Sequence, residues 1–310
     1  MPERIHTSPV APAARKGTLM SSSTSSIAIA GLGLIGGSMA LALRRTGVHR
    51  LLGIDRDPAV LAAALERGAV DEAGGPELLE RADLLILALA PQACEDFLRE
   101  HAARLRPGAV VTDVCGVKRS VTAALAPLCE ARGLLFVGGH PMAGKEKSGF
   151  ANADPDLFIG ASYLLTPMEN TDPRALEQMK ALAEELGCAR LTVTTPERHD
   201  RMIAFTSQLP HALAGAYVKS PCCPYHAGFS AGSYRDVSRV AAVDETLWSE
   251  LFLRNADDLC AEIDTLIGNL TACRDAVAAG DRDRLTAVLR RGREIKENEG
   301  RFESLREKKG

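Results

Sequence analysis

The sequence lacks the features that mark several large classes of protein. Its formal net charge is −3, so it has no basic excess that would indicate binding to nucleic acid. No apolar run reaches the roughly 18 residues needed to span a bilayer. The longest run, LLILALA at 84–90, has the length of a strand. These absences predict a cytoplasmic protein with neither nucleic-acid nor membrane partners.

The eight cysteines also lack the spacing of a disulfide framework or a metal site. No C-x-x-C pair occurs, and the adjacent Cys222 and Cys223 have no matching set of metal ligands. A chain of 310 residues can bury a core without disulfides and should form one large or two medium domains. Reduced thiols and no bound metal are therefore expected.

Short apolar runs alternate with amphipathic segments over residues 27–195. This alternation is typical of β-α-β units and a parallel sheet. The run LLFVGGH at 134–140 is predicted as one of the strands. Strand signals disappear after Pro196, so residues 196–310 are predicted to be helical, with 244–275 as one helix. Residues 1–26 are rich in Ser, Pro, Ala and Thr without an amphipathic pattern, which predicts a disordered tail. The fold class is therefore α/β, with an all-helical C-terminal domain.

A glycine motif follows the first apolar run, in the segment IAIAGLGLIGGS. Gly31 permits a tight turn, Gly33 lets the backbone approach a pyrophosphate, and Gly36 lets helix and strand pack closely. The pyrophosphate would lie at the helix N-terminus, near Leu34 and Ile35, where backbone amides are free. Since the motif follows a strand and opens a helix, it predicts a Rossmann-type dinucleotide-binding domain rather than a turn that only packs.

Asp55 ends the second predicted strand, 24 positions after Gly31. A carboxylate there can accept hydrogen bonds from both ribose hydroxyls of NAD and would repel the 2′-phosphate of NADP. The neighbouring Arg56 could offset that repulsion. Asp55 and Arg56 are thus predicted cofactor contacts, and NAD is preferred over NADP.

His140 stands on a constrained turn, in FVGGHPMAGKEKSGF at 136–150, directly after another apolar run. Ligands of such folds bind beyond the C-terminal ends of the strands, and His140 is expected there. An imidazole titrates near pH 6.5 and can accept a proton at neutral pH. His140 is therefore a candidate general base, and the alternative is a structural turn residue.

Several segments together resemble a known family, the prephenate/arogenate dehydrogenases of tyrosine biosynthesis. They run in that family's order, with its approximate spacing, over residues 27 to about 275. The segments are GLGLIGGS, DVCGVK at 113–118, GGHPMAGKEKSG at 138–149, HD at 199–200, LPHALA at 209–214 and GSYRDVSRVAAVDETLW at 232–248.

The resemblance implies a role for particular residues. His140, in H-P-M-A-G, would be the catalytic base, and His211, in L-P-H, would line the substrate pocket. Arg239 would bind the substrate carboxylate, with Gly232 and Trp248 in the same pocket.

The residues themselves support part of this assignment. His211 directly follows Pro210 inside a helical pattern, which is an unusual position for an imidazole. Arg239 lies in the apolar run VSRVAAV and needs a partner, which a bound carboxylate would supply. The alternative for Arg239 is a structural salt bridge with an acidic residue such as Asp236 or Asp244.

Two positions depart from the family pattern. Gly116 stands where many members have a serine, whose hydroxyl can join the hydrogen bonds around the base. Its absence implies a substitute donor or a less tightly oriented His140. Lys145 stands where threonine is frequent, and a cation there could contact a dianionic substrate or point to solvent.

Two further histidines have local interpretations. His199 precedes Asp200 and is interpreted as a contact at a helix start, and the alternative is a direct role in the site. His226 lies on a probable loop in SPCCPYHAGFS.

In the helical half, five residues recur at helical steps of three and four. They are Leu259, Ile263, Leu266, Leu270 and Cys273. Such a stripe fits an internal core face or a subunit interface equally, and the prediction is a homodimer joined through the C-terminal helices.

The resulting expectation is a tail at 1–26, a Rossmann-type NAD-binding domain at 27–195 and a helical substrate-binding and dimerisation domain at 196–310. The expected activity is NAD-dependent oxidative decarboxylation of prephenate, arogenate or both. The alternative is a related two-domain oxidoreductase acting on a β-hydroxy acid or a cyclic imine. A dinucleotide sensor without catalysis is a third, from a different class. Whether the substrate side chain is keto or amino stays open.

Overall fold

The computed structural model describes residues 6–9 and 25–307. The chain divides into two compact units, with the division after Ala256. The predicted boundary between residues 195 and 196 separates the Rossmann-type domain from the helical domain. It is not the division between these two units, and it stays a prediction. It lies between the last strand, which ends at Val193, and a helix that begins at Pro196.

Ten strands occur in the described residues. In chain order they are β1 (His6–Pro9), β2 (Ser26–Ala30), β3 (Arg50–Ile54), β4 (Glu72–Gly74), β5 (Leu84–Leu87), β6 (Val110–Asp113), β7 (Leu135–Phe136), β8 (Gly138–Pro141), β9 (Ser162–Thr166) and β10 (Arg190–Val193).

Eleven α-helices accompany them over the same part of the chain. They are α1 (Leu34–Arg44), α2 (Pro58–Glu66), α3 (Pro91–His101), α4 (Arg119–Glu130), α5 (Pro173–Glu185), α6 (Pro196–Ile203), α7 (Leu209–Tyr217), α8 (Gly232–Ser238), α9 (Glu245–Arg254), α10 (Ala256–Ala278) and α11 (Arg282–Glu307).

The first sheet has six parallel strands in the order β4-β3-β2-β5-β6-β7. Its central strands are continuous apolar runs because both faces are buried. Along β2, Ile27 and Ile29 belong to one buried cluster, whereas Ala28 and Ala30 belong to the other. The strand order reverses between β2 and β5, so a crevice for a ligand is expected at their C-terminal ends. The predicted parallel sheet with flanking helices is confirmed.

The second sheet has four strands in the order β1-β10-β9-β8. Only β9 and β10 pair in parallel, and the other two pairs are antiparallel. The run LLFVGGH was predicted as one strand, but it contributes β7 to the first sheet and β8 to the second. A close contact with the paired strand β9 explains the glycine at the start of β8. A Cβ atom on Gly138 would lie 2.4 Å from the hydroxyl oxygen of Thr166.

The segment predicted to be a disordered tail contains β1. His6–Pro9 pairs antiparallel with β10, with His6 opposite Val193. The tail prediction is therefore wrong for these residues, because β10 offered a sheet edge that composition cannot reveal. Ser26, the last residue of the predicted tail, begins β2, and residues 1–5 and 10–24 lie outside the described residues.

Residues 196–256 contain helices and helical turns but no strand, as predicted, with a loop between α7 and α8. A π-helical turn, Ala204–Gln208, joins α6 to α7. Residues 244–275 were predicted as one helix, but they form two, because Asn255 leaves helical geometry between α9 and α10. Its amide nitrogen donates to the backbone oxygen of Asp200 and to the side chain of Gln208, at 2.9 and 2.8 Å.

Beyond Ala256 the described chain consists of α10 and α11. The stripe on α10 is not uniformly covered, since Leu259 is buried and Leu270 is 55% exposed. Neither these helices nor any other in the described residues is long and apolar enough to cross a bilayer.

Candidate functional site

The glycine-rich turn lies at the C-terminal end of the central strand β2. Gly31 has a φ of +91°, and a Cβ atom there would lie 2.4 Å from the backbone oxygen of Ala88. A Cβ on Gly36 would lie 1.9 Å from the backbone oxygen of Gly31. By contrast, a Cβ on Gly33 would meet no atom within 4 Å. Glycine is therefore needed at positions 31 and 36 because the backbone packs closely there. At position 33 the absence of a side chain keeps the space above the turn open.

That space adjoins the start of α1, where Leu34 and Ile35 are the first two residues. Gly33 is the N-cap of α1 and supplies no side-chain hydrogen bond. The first amides of a helix lack partners within it and form a site suited to an anion. The turn thus fits the pyrophosphate of a dinucleotide.

Asp55 follows β3 beside this turn. One carboxylate oxygen accepts a hydrogen bond from the amide of Leu32 at 2.8 Å, and the other accepts from Asp57 at 3.0 Å. Asp55 is half-buried and Arg56 is exposed. The carboxylate is therefore fixed at the edge of the space that a bound dinucleotide would fill.

His140 projects from β8, opposite Leu164 of β9. Its Nδ1 lies 2.8 Å from Nε2 of His199 in α6, and the Nδ1 of His199 lies 2.7 Å from a carboxylate oxygen of Asp200. His140 is half-buried, whereas His199 and Asp200 are 2% and 0% exposed. Two imidazoles and a carboxylate therefore form one line of hydrogen bonds that leads away from the surface.

Asp200 is held at the start of α4. Its two carboxylate oxygens accept hydrogen bonds from the backbone amides of Lys118 and Arg119, at 2.7 and 2.9 Å. Burial alone would raise the pKa of Asp200, but the hydrogen bond with His199 and these two amides outweigh it and lower that pKa. Asp200 is thus a carboxylate anion at neutral pH.

Both histidines are held neutral. Burial lowers the pKa of His140 well below its usual value, and repulsion by His199 and Lys118 lowers it further. Burial also lowers the pKa of His199, and the opposing hydrogen bond with Asp200 does not cancel that effect. A neutral imidazole carries one N–H and one lone pair. His140 is thus able to accept a proton.

A fully buried ion pair lies beside this line. Lys118 and Asp113 are both 0% exposed, and the Lys118 ammonium donates to the Asp113 carboxylate. Both belong to the segment DVCGVK, to which the sequence assigned no charged site residue. The signal in the sequence that could have indicated this ion pair is an acidic and a basic residue, Asp113 and Lys118, at the two ends of a strand-to-helix turn.

His199 was interpreted as a local contact at a helix start, and that interpretation is incomplete. It does contact the neighbouring Asp200, but its other ring nitrogen reaches His140, which is 59 positions away in the chain. Only the sequence HD at 199–200 pointed to this pair, because nothing in the spacing brings α6 to β8.

His211, on α7, forms a second cluster with Trp248 on α9. Their ring centroids are 3.7 Å apart, and Nδ1 of His211 lies 2.7 Å from the backbone oxygen of Val240. These two rings line a cleft of about 290 Å³. Burial lowers the pKa of His211, the hydrogen bond to Val240 opposes this, and the charge of Arg239 lowers it further. The structure therefore brings His211 and Trp248 together as predicted pocket neighbours.

Arg239 begins a short 3-10 turn, Arg239–Ala241, after α8. Its guanidinium donates to the carboxylate of Glu146 at 2.7 Å, and both side chains are about half exposed or more, at 65% and 49%. The suggested partners Asp236 and Asp244 are therefore not the ones found, and Asp244 instead caps α9 through the amide of Leu247. Glu146 belongs to the loop after His140, so this ion pair connects the two predicted site segments.

The remaining predicted residues stand apart from these clusters. Gly232 is the first residue of α8, and a Cβ there would meet nothing within 4 Å. Lys145 pairs with Asp154 at 2.7 Å, and both are partly exposed. A Cβ on Gly116 would lie 3.6 Å from Leu251, which is an ordinary contact. The roles given to Gly232 and Lys145 stay predictions, as do those given to His140, His211 and Arg239.

The described residues contain no group of three or more potential metal ligands. Four of the cysteines are buried and, like the other four, none forms a disulfide. His226 hydrogen-bonds to Ser230 and stacks on Tyr234, in the predicted loop.

Comparison with known proteins places the chain in a family. Residues 39–192 match the family model described as prephenate dehydrogenase, nucleotide-binding domain. Residues 195–291 match the model described as prephenate dehydrogenase, dimerization domain. The second match agrees with the predicted homodimer and with its assignment to the helical part of the chain.

Individual relatives are similar over most of their length. The prephenate dehydrogenase of Bacillus subtilis is 32% identical over 280 residues, which cover 87% of this chain and 75% of the relative. The crystal structure of Synechocystis arogenate dehydrogenase is 30% identical, with a TM-score of 0.74 and coverage of 88% of this chain and 99% of that one. The structure of prephenate dehydrogenase from A. aeolicus in complex with hydroxyphenyl propionate and NAD+ is 28% identical, with a TM-score of 0.81 and coverage of 90% and 99%. These matches confirm the resemblance seen in the sequence: the chain belongs to the prephenate dehydrogenase family.

Proposed function

We propose that this protein oxidatively decarboxylates prephenate, arogenate or both, using NAD, and so forms 4-hydroxyphenylpyruvate or tyrosine. The observation that carries the proposal is the neutral His140, hydrogen-bonded through Nδ1 and exposed enough to meet a substrate. It lies in a chain whose family acts on this class of cyclohexadienol.

His140 acts as the general base. Its free nitrogen, Nε2, accepts the proton of the ring hydroxyl as the carbon bearing that hydroxyl is oxidised. The ring then loses carbon dioxide and becomes aromatic, which makes the step irreversible. A positioned base contributes about 10²–10⁴ in rate.

The glycine-rich turn and Asp55 would hold the cofactor. The open space over Gly33 and the first amides of α1 suit the pyrophosphate, and Asp55 suits the ribose hydroxyls. When bound, NAD supplies the hydride acceptor for the oxidised carbon.

Arg239 and His211 would orient the substrate. A guanidinium can bind a carboxylate through two parallel hydrogen bonds, and the cleft beside His211 and Trp248 can receive the rest of the molecule. Orientation of this kind lowers the barrier by holding the reacting groups in a near-attack geometry.

Formation of NADH on mixing the purified protein with NAD and either substrate tests the activity directly. The ratio of kcat/KM for prephenate and arogenate then identifies the preferred side chain. Turnover of a β-hydroxy acid or a cyclic imine, with neither of these substrates used, would support the alternative oxidoreductase. Binding of NAD without turnover of any of them would support the sensor.

The cofactor preference is tested at Asp55. NAD should be used better than NADP, and Asp55→Ser should narrow the difference by removing repulsion of the 2′-phosphate. Arg56→Ala is the matched comparison: it leaves the carboxylate in place and removes the charge that could offset its repulsion, so it should not narrow the difference. A native protein that uses NADP about tenfold better would contradict the role of Asp55.

The assembly is tested by mass. A cytoplasmic homodimer joined through the C-terminal helices would cover the apolar residues that α10 exposes, including Leu270. Symmetric dimers are the commonest closed oligomers. Light scattering at micromolar concentration should give twice the 33.0 kDa chain mass, and a mass of one chain would refute the dimer.

A further inference from the structure

The imidazole of His140 can act as a base at the substrate only if the correct nitrogen carries its lone pair. Nδ1 is turned toward His199, so the proton must be accepted by Nε2. Free imidazole can place its one proton on either nitrogen. Something in the fold must therefore select the form in which Nδ1 holds the proton.

We propose that His199 and Asp200 are positioning residues that fix His140 as the tautomer with a proton on Nδ1 and a lone pair on Nε2. The inference rests on the proposed function, because it assigns a task to residues behind the base of that reaction. Neither residue would touch the substrate.

The order of donors and acceptors follows from the carboxylate end. Asp200 is ionised, so both of its oxygens only accept hydrogen bonds. The Nδ1 of His199, 2.7 Å from one of them, must therefore be the donor. A neutral His199 then has its lone pair on Nε2, which can only accept from Nδ1–H of His140 at 2.8 Å. The lone pair of His140 is left on Nε2.

The carboxylate end cannot easily reverse this order. Asp200 is held by two backbone amides at the start of α4, where the helix dipole also favours a negative charge. Asn255 holds the same residue through its backbone oxygen at 2.9 Å. A rotation of the Asp200 side chain away from His199 would leave the backbone amides of Lys118 and Arg119 without an acceptor in the interior, which is unfavourable.

The same order of hydrogen-bond donors and acceptors is kept after the substrate proton has moved to His140. When Nε2 of His140 gains the hydroxyl proton, its Nδ1–H still donates to His199, and no second proton transfer is needed. The new positive charge then lies in line with the Asp200 carboxylate, with one neutral imidazole between them. His199 and Asp200 thereby stabilise the protonated base that forms in the transition state.

The departure at Gly116 gives the arrangement added weight. The resemblance implies that a serine hydroxyl at this position can help to orient the base, and glycine supplies none. No other hydrogen bond to the ring of His140 occurs among the described residues. Its orientation therefore depends on the contact with His199.

Nuclear magnetic resonance of the full-length protein with ¹⁵N-labelled histidine reads the tautomer directly and needs no substrate. The His140 signal is assigned by its loss in His140→Asn. We expect a protonated Nδ1 and an unprotonated Nε2 in the neutral ring of His140, and the same tautomer in His199. A protonated Nε2, or an even mixture of the two tautomers, would overturn the proposal.

Kinetics separate positioning from general support of the fold. His199→Ala removes the acceptor and should lower kcat by about ten- to a hundredfold, the range for a hydrogen bond to a group that becomes charged, with little change in KM. His199→Gln offers an amide oxygen as a substitute acceptor and should recover part of the loss.

Gln208→Ala is the matched control. Gln208 is 1% exposed and makes two side-chain hydrogen bonds in the same buried region, to Leu251 and Asn255, and neither of them is to a histidine. It should lose stability without a comparable loss of kcat. Equal losses of kcat in His199→Ala and Gln208→Ala would mean that His199 is only structural. The two proposals can also fail separately. If His140 shows the predicted tautomer but the protein turns over neither prephenate nor arogenate, the proposed function is overturned and the tautomer assignment stands.

Discussion

The two parts of the predicted site differ in how firmly the fold holds them. The ring of His140 is connected to Asp200 through buried hydrogen bonds of 2.8 and 2.7 Å. The guanidinium of Arg239 is in an ion pair whose members are 65% and 49% exposed. Exposed ion pairs contribute at most about 1 kcal/mol, so this contact is easily exchanged for another carboxylate. The group that would carry out the chemical step is fixed in advance, and the group that would bind the substrate is free to change partners.

The elements that carry the two parts explain the difference. His140 is on a strand paired with β9, and Asp200 is locked against the start of α4. Arg239 lies in a single 3-10 turn between two short helices, α8 and α9. Mutation of His140, the preorganised base, and of Arg239, the adjustable substrate-binding group, should therefore have different effects.

The largest effect is expected from His140→Asn. The amide keeps the approximate shape and some hydrogen bonding but cannot act as the base, so kcat should fall by about 10²–10⁴ with little change in KM. The acid limb of the pH profile of kcat should disappear with the titrating group. Steady-state kinetics across pH measure both. Near-native kcat with an unchanged profile would mean that His140 has only a structural role in β8.

A smaller effect, on KM rather than kcat, is expected from Arg239→Ala. A charge-assisted hydrogen bond to a substrate carboxylate is present in the ground and transition states alike, and its loss should raise KM about ten- to a hundredfold. Glu146→Gln is the control, because it removes only the exposed partner. If Glu146→Gln raised KM by the same amount, Arg239 would act through its ion pair with Glu146 and not through a contact with the substrate.

Acid should destabilise the protein through the buried histidines. In the unfolded chain each titrates near its usual pKa of 6.5, whereas burial lowers the pKa of His140 and His199 in the fold. As pH falls below 6.5, the unfolded chain gains protons first, so the free energy of unfolding decreases. The decrease is at most about 1.4 kcal/mol per pH unit for each histidine.

Urea unfolding at about pH 7 and about pH 5.5 measures this dependence. The midpoint of His140→Asn should move less with pH than that of the native protein. His226→Asn, in a loop outside the line of hydrogen bonds, should keep the native dependence. An unaltered pH response in His140→Asn would mean that His140 is not held neutral by the fold.

The smallest effect is expected from Gly116→Ser. A Cβ there meets only Leu251, at 3.6 Å, so the serine should fit without loss of stability. If His199 already orients the base, the added hydroxyl should change kcat by less than about threefold, at the low end of the range for one hydrogen bond. A much larger gain in kcat would show that His140 is poorly oriented in this protein, and thermal unfolding would check the fit of the serine.

Much of the fold could be predicted because its signals are local. The apolar strand before Gly31, the glycine turn and the change of pattern after Pro196 each lie within a few consecutive residues. They sufficed for the parallel sheet and the helical half. The split of LLFVGGH between two sheets was missed, since a continuous apolar run does not reveal which neighbours its two ends will find.

For the site, the same distinction holds. The sequence by itself determined the identity of the family and singled out His140, His211 and Arg239, because each stands in a short recognisable segment. Only the tertiary structure decided that His199 lies against His140, that Glu146 is the partner of Arg239, and that β1 completes a sheet. Each of these contacts joins residues separated by 59 or more positions, and such pairings depend on how whole elements pack rather than on the propensities of neighbouring residues.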